Sequence, residues 1–156
     1  MKVRLNDAQL RYALEIGNER QRSAEAKQSR SAFPEQWAGQ LLDNHLNAAC
    51  AELAVAVALG CDQTLGVDVY SVPDLIGTRV EVRWSRGRNL CKVTQRDIDN
   101  DRLVIGTVGA RPEIELLGWI EAKDAPERGM QSKQPPWCWF IHELAWERIE
   151  TLPKDF

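Results

Sequence analysis

Three carboxylates carry the first chemistry that this sequence suggests. Asp74 and Glu81 flank the Gly77-Thr78 pair. If that pair forms a two-residue turn, Ile76 faces Arg79, Leu75 faces Val80, and Asp74 faces Glu81. Opposed residues on antiparallel strands share a face, with β-carbons about 4.5–5.5 Å apart. Two carboxylates so placed repel unless a cation lies between them. Hard oxygen ligands of this kind suit a divalent metal, Mg²⁺ or Mn²⁺. Glu52 is the third acid. It interrupts the apolar run 48–59, where a carboxylate must be paired or bind a metal. The blander alternatives are a solvated Asp–Glu pair on a polar hairpin, and a salt bridge from Glu52 to a sheet arginine. His45 falls on almost the same helical face as Glu52, but close to a helix start, where a surface or core histidine is the commoner role.

The neighbouring charges are basic. Residues 82–96 include Arg83, Arg86, Arg88, Lys92 and Arg96, and no acid. Alternation along 79–84 puts Arg79, Glu81 and Arg83 on one face and Val80, Val82 and Trp84 on the core face. A basic run beside acids suits phosphate contacts whose affinity falls with salt. Arg20 and Arg22, with Lys27 and Arg30, read as a second basic wall on a helix. A solubilising hairpin edge is the plain alternative. Trp137, Trp139 and Trp146 could stack on bases or form an interface, although closing the core is the more ordinary job.

The elements that must hold these groups follow from pattern. A first helix is expected from Asp7 to about Ser31, apolar in its first half and polar in its second. That polar half is expected to project into solvent or toward a partner, and Pro34 closes the unit. A second helix is expected over 44–59, capped by Asp43 and ended by Gly60. Strands are expected at 67–72, 79–84, 90–93, 103–108 and 113–120, with turns at 76–78, 87–89, 97–101 and 109–112. A strand at 139–141 and a short final helix complete the chain. Helices first and a mostly antiparallel or mixed sheet afterwards predict an α+β fold.

Composition agrees with this outline. At 156 residues the chain matches one ordinary domain, with 44% hydrophobic and 28% charged residues. A net charge of −3 means that attraction to nucleic acid must come from a local patch. Cys50, Cys61, Cys91 and Cys138 form no zinc-ligand spacing, and they suit a reducing compartment. The start lacks a secretory apolar run, and 53–61 is too short to span a bilayer. The expectation is a cytoplasmic protein, of a bacterium or a phage-infected cell, with no membrane partner.

Taken together, the helix Ala51-Glu52-Leu53-Ala54-Val55-Ala56, then Pro73-Asp74, Glu81-Val82-Arg83, Arg96-Asp97 and Leu117-Gly118-Trp119-Ile120 resembles the PD-(D/E)XK nuclease superfamily. It is similar to small members common in phage and prophage sequences. The resemblance covers about 44–124, leaving a helical N-terminal extension, 1–43, and a Trp-rich segment, 125–156. It implies a restriction-endonuclease-like core and a Mg²⁺- or Mn²⁺-dependent DNA endonuclease. Asp74 and Glu81 would be metal ligands with the Val82 carbonyl, and Glu52 would complete the acidic cluster. Arg83 stands where the family has lysine. A guanidinium stays protonated and can only donate hydrogen bonds and charge. Lys92 as a displaced lysine ranks below an exposed sheet charge, and Asp68 is the alternative ligand if the turn differs. Catalytically inactive DNA binding, a protein-interaction role in phage or host, and a homodimer stay open.

Overall fold

The computed structural model describes residues 1–28, 38–67, 72–154 and 156. Its centre is a helix, α2 (Ala38–Leu59), whose run from Ala49 to Ala56 is buried throughout. Small side chains such as Ala49, Ala51, Ala54 and Ala56 let this helix lie close on a sheet, so the core forms between them. Gly60 ends it at φ +67°, a left-handed conformation suited to glycine, with the Cys61 N–H returning to the Ala56 carbonyl at 2.9 Å. Asp43 lies inside α2 and does not cap it.

Helix α1 (Asp7–Gln28) packs along α2. The expectation for its second half needs correction. Gln21 is buried, and Arg20 reaches across to α2, so polarity here marks buried hydrogen bonding and not only a solvated face.

The main sheet runs β1-β5-β4-β2, formed by β1 (Lys2–Arg4), β2 (Val80–Ser85), β4 (Leu103–Ala110) and β5 (Glu113–Glu121). Between β2 and β4 lie β3 (Lys92–Thr94) and a short helix, α3 (Gln95–Asp99). After β5 come α4 (Ala125–Arg128), β6 (Gly129–Gln131) and β7 (Cys138–Ile141), and β3-β7-β6 form a second, antiparallel sheet. The class is α+β with a mixed main sheet. Gly106 on β4 admits the buried Trp146 ring, since a β-carbon there would stand 2.5 Å from it.

Two expectations about the strands fail for identifiable reasons. Asp74 and Glu81 do not face each other across a hairpin, because β2 pairs in parallel with β4, from Val80 beside Leu103 to Ser85 beside Val108. Parallel strands need a crossover connection, and 86–102 supplies it with β3 and α3. Residues 75–78 instead fold on themselves, with the Thr78 N–H and Oγ1 both donating to the Leu75 carbonyl. The expected turn at 97–101 begins as α3. Strand β1 was not expected at all. It is held by pairing of Val3 with Ile114 and by the Met1 amino group donating to the Leu116 carbonyl at 2.9 Å. The strand expected at 67–72 lies mostly on 68–71, and Asp68, like Arg30 and Pro34, is outside the described residues. Among the described residues no helix is long and apolar enough to cross a membrane.

Candidate active site

The start of β2 brings the acids together. Asp74 is anchored by its side chain, accepting the Val82 N–H on Oδ2 at 2.7 Å. This bond ties it to the strand that carries Glu81 and Arg83. Val80 and Val82 are buried, while Glu81 and Arg83 point from the opposite face into a cleft that Asp74 also lines. Glu52 reaches the same neighbourhood from α2, lining an adjoining cleft with Asp74 and Arg83. Asp74 and Glu81 therefore line one cleft and Glu52 lines its neighbour with Asp74, and a side-chain anchor on a parallel strand, in place of a hairpin, holds Asp74 beside β2.

What neutralises these acids is arginine. Arg20 on α1 grips Glu52 with both terminal nitrogens, at 2.7 and 2.6 Å, and also donates to the Gly66 carbonyl at 2.9 Å from Nε. The alternative of a salt bridge for Glu52 is thus realised, but from a helix and not from the sheet. Arg83 Nη2 lies 3.0 Å from Glu81 Oε1 and 2.5 Å from Asp97 Oδ1. Four carboxylates share these two guanidiniums, and their electrostatics register the shortfall. Burial and then the Asp74 charge push Glu81 up to about 7. Burial followed by Asp74 pushes Glu52 up to about 7, against the pull of Arg20. Asp74 is also raised, by burial first, with the Val82 N–H opposing. The two-pronged Arg20 contact favours the ionised form of Glu52 and opposes that rise.

Asp97 is the member that sequence reasoning placed in a turn. It is 2% exposed, and its Oδ2 accepts both the Thr94 N–H at 2.7 Å and the Thr94 hydroxyl at 2.9 Å. The Thr94 N–H bond, with the Asp97 N–H donating back to Thr94 Oγ1 at 3.4 Å, forms a capping box that starts α3. The signal was present as Thr94 followed three residues later by Asp97. His45 lines the Asp74–Glu81 cleft, and burial followed by the Arg20 charge holds its imidazole pKa down.

The basic residues separate into two groups. Arg88 is engaged with Glu115 at 2.6 Å, and Arg20 with Glu52, so neither is a spare phosphate-binding cation. Arg22 is exposed on α1 and lines neither cleft. Arg96 lines the Asp74–Glu81 cleft, while Arg86 and Lys92 line the adjoining one. Of the aromatic residues, Trp139 and Trp146 are buried, Trp84 and Trp119 pack half-buried against the core, and Trp137 is exposed. Among the described residues no group of three His, Cys, Asp or Glu side chains is arranged to hold a metal ion. No family model matches the sequence, and neither a curated protein nor a solved structure matches it.

Proposed function

We propose that this chain is a divalent-metal-dependent DNA endonuclease of the PD-(D/E)XK type, with Asp74 and Glu81 as its acidic pair. The observation that carries the reading is that both carboxylates line one cleft at the start of β2, each raised by burial. Carboxylates in this condition are short of positive charge.

The donor set suits Mg²⁺ or Mn²⁺ in one particular form. Mg²⁺ keeps several waters and is commonly held by one or two carboxylates plus substrate phosphate, so a protein cage of three acids is not required. Asp74 and Glu81 would hold the ion with the Val82 carbonyl, while Glu52 stays with Arg20 and orders the cleft from behind. When bound, such an ion supplies charge neutralisation and acidifies a bound water. Arg83 remains a cation and donates hydrogen bonds to negative charge developing on the phosphate. Asp97 fixes the direction of that guanidinium.

Supercoiled plasmid is nicked in Mg²⁺ or Mn²⁺ and not in EDTA on this reading, and Glu81→Ala removes nicking while the fold persists. Wild-type protein that leaves plasmid intact with either metal defeats it. One observation favours a second reading, a DNA-binding module without catalysis: Arg83 already occupies Glu81 at 3.0 Å, as a resident cation would. Salt-sensitive DNA retardation without EDTA-sensitive cleavage is the outcome that selects it.

A further inference from the structure

The cleft beside the acids is built differently from a phosphate clamp. Asp74 and Arg83 line both adjoining clefts, so the two meet at the acidic pair. The second cleft adds Trp84, Leu90, Arg86 and Lys92. Leu90 is 57% exposed and presents its apolar side chain to this cleft. Trp84 donates its indole N–H to the Gly109 carbonyl at 2.9 Å, so its polar edge is satisfied by the protein.

The cations here are available. Several arginines elsewhere are paired with carboxylates, as in Arg79 with Glu121, Arg111 with Asp43 and Arg128 with Glu147. Among the described residues Arg86 and Lys92 form no ion pair, and Arg86 has one long contact, 3.5 Å to Asn44. Lys92 sits on β3, an edge strand, where a lysine often only discourages pairing. That role does not account for an exposed Leu and a Trp in the same cleft.

We propose that this second cleft receives an unpaired base, stacked against Trp84 and Leu90, with its flanking phosphates on Arg86 and Lys92. The preferred substrate is then single-stranded nucleic acid. A duplex offers phosphates to the cations, but its base rings are stacked inside and give the apolar pair nothing to cover. A single strand satisfies both, the combination found where cationic grooves carry aromatic platforms. The inference rests on the proposed function only in placing the reacting phosphate at Asp74 and Glu81.

The test measures binding in EDTA, by anisotropy of labelled oligo(dT) and of a duplex of equal length. Single strand binds about tenfold tighter than duplex, and Leu90→Ser and Trp84→Leu each weaken single-strand binding by about tenfold while leaving duplex binding unchanged. Arg86→Ala and Lys92→Ala weaken both ligands and each lowers the single-strand salt slope by about 0.7. Duplex binding that equals or exceeds single-strand binding overturns the proposal, as does unchanged single-strand affinity in Leu90→Ser, an exposed change that leaves the fold in place even if Trp84→Leu does not. Absence of single-strand binding by the wild type overturns it as well. Strand binding with no plasmid nicking defeats the hydrolase reading alone, and nicking without strand preference defeats this inference alone.

Discussion

One nitrogen, Arg83 Nη2, bridges acids from two different elements, at 2.5 Å from Asp97 and 3.0 Å from Glu81. The two contacts are unequal in kind as well as in length. Asp97 is locked by its bonds to Thr94 and cannot follow Arg83 if it moves, whereas Glu81 is held by Arg83 at 3.0 Å with a further attraction from Arg102. Asp97 therefore sets where the guanidinium stands, and Glu81 is the partner that an incoming cation would take.

That asymmetry gives the first prediction. Asp97→Ala removes the Asp97 half of the α3 capping box, leaving the Thr94 half in place, and leaves the Arg83 charge half-compensated. A lost cap costs about 1 kcal/mol, and losing one partner of a partly buried ion pair adds comparable destabilisation, so a total of about 2–3 kcal/mol is expected in urea unfolding. Asp97→Asn still accepts the Thr94 N–H and costs less than half as much. Equal losses in the two variants would show that the cap, and not the charge, carries no separate weight.

Glu81 leads to a prediction about pH. Its carboxyl titrates near 7 in the fold because of burial and Asp74, well above an unfolded glutamate. A group raised on folding stabilises the native state below its unfolded pKa, and that contribution is lost as pH rises through the folded value. In EDTA, unfolding free energy therefore falls between about pH 5 and 8, by up to about 3 kcal/mol from Glu81. His45 acts in the opposite sense, since its depressed pKa favours the fold above about 6.5. The measurement is thus cleanest in a His45→Gln background, and adding Glu81→Gln should reduce the remaining slope, what is left coming from Glu52 and Asp74, which are raised in the same direction. A slope that survives Glu81→Gln unchanged assigns it to other groups.

The same carboxylate predicts a metal response. Electron paramagnetic resonance of a Mn²⁺ titration should show wild-type uptake that Glu81→Gln and Asp74→Asn both abolish, with Glu52→Gln weakening it less. Uptake lost equally in all three would return Glu52 to the ligand set. Glu81→Gln protein should be at least as stable as wild type at pH 8 in EDTA, since the amide removes a charge that the cleft does not fully compensate.

How far the sequence discloses this site depends on what each residue rests on. Glu52, Asp74 and Glu81 could be singled out because a charge in an apolar run, or two acids around a turn, is anomalous on local grounds. The second helix and strands β2, β4 and β5 were likewise legible, since alternation and apolar runs record burial directly. Asp74 was placed correctly through an incorrect pairing. Gly77 marks the turn at 76–78, but nothing local says that β2 takes a parallel neighbour more than twenty residues further on in place of the segment before that turn. Arg20 was read as a surface cation because a polar helix half looks the same whether water or a buried glutamate faces it. That distinction lives in the packing of α1 on α2, which no spacing within α1 encodes.

The pair Arg20–Glu52 supplies the last prediction. Their side chains are 12% and 7% exposed, so each charge depends on the other for solvation. Removing one member strands its partner: Arg20→Ala should cost about 3–5 kcal/mol at pH 7.5, because Glu52 stays buried among acids with Asp74 beside it. Glu52→Gln strands Arg20 less severely, since the amide oxygen still accepts a hydrogen bond and Gly66 still takes Nε. Replacing both, as Arg20→Met with Glu52→Leu, fills similar volume without either charge and should recover most of the loss. A double-mutant cycle of Arg20→Met and Glu52→Leu, singly and together, read by urea unfolding tests this, with a coupling energy of at least about 2 kcal/mol expected. Additive losses would mean that the two residues stabilise the fold separately and that α1 is not latched to α2 through this contact.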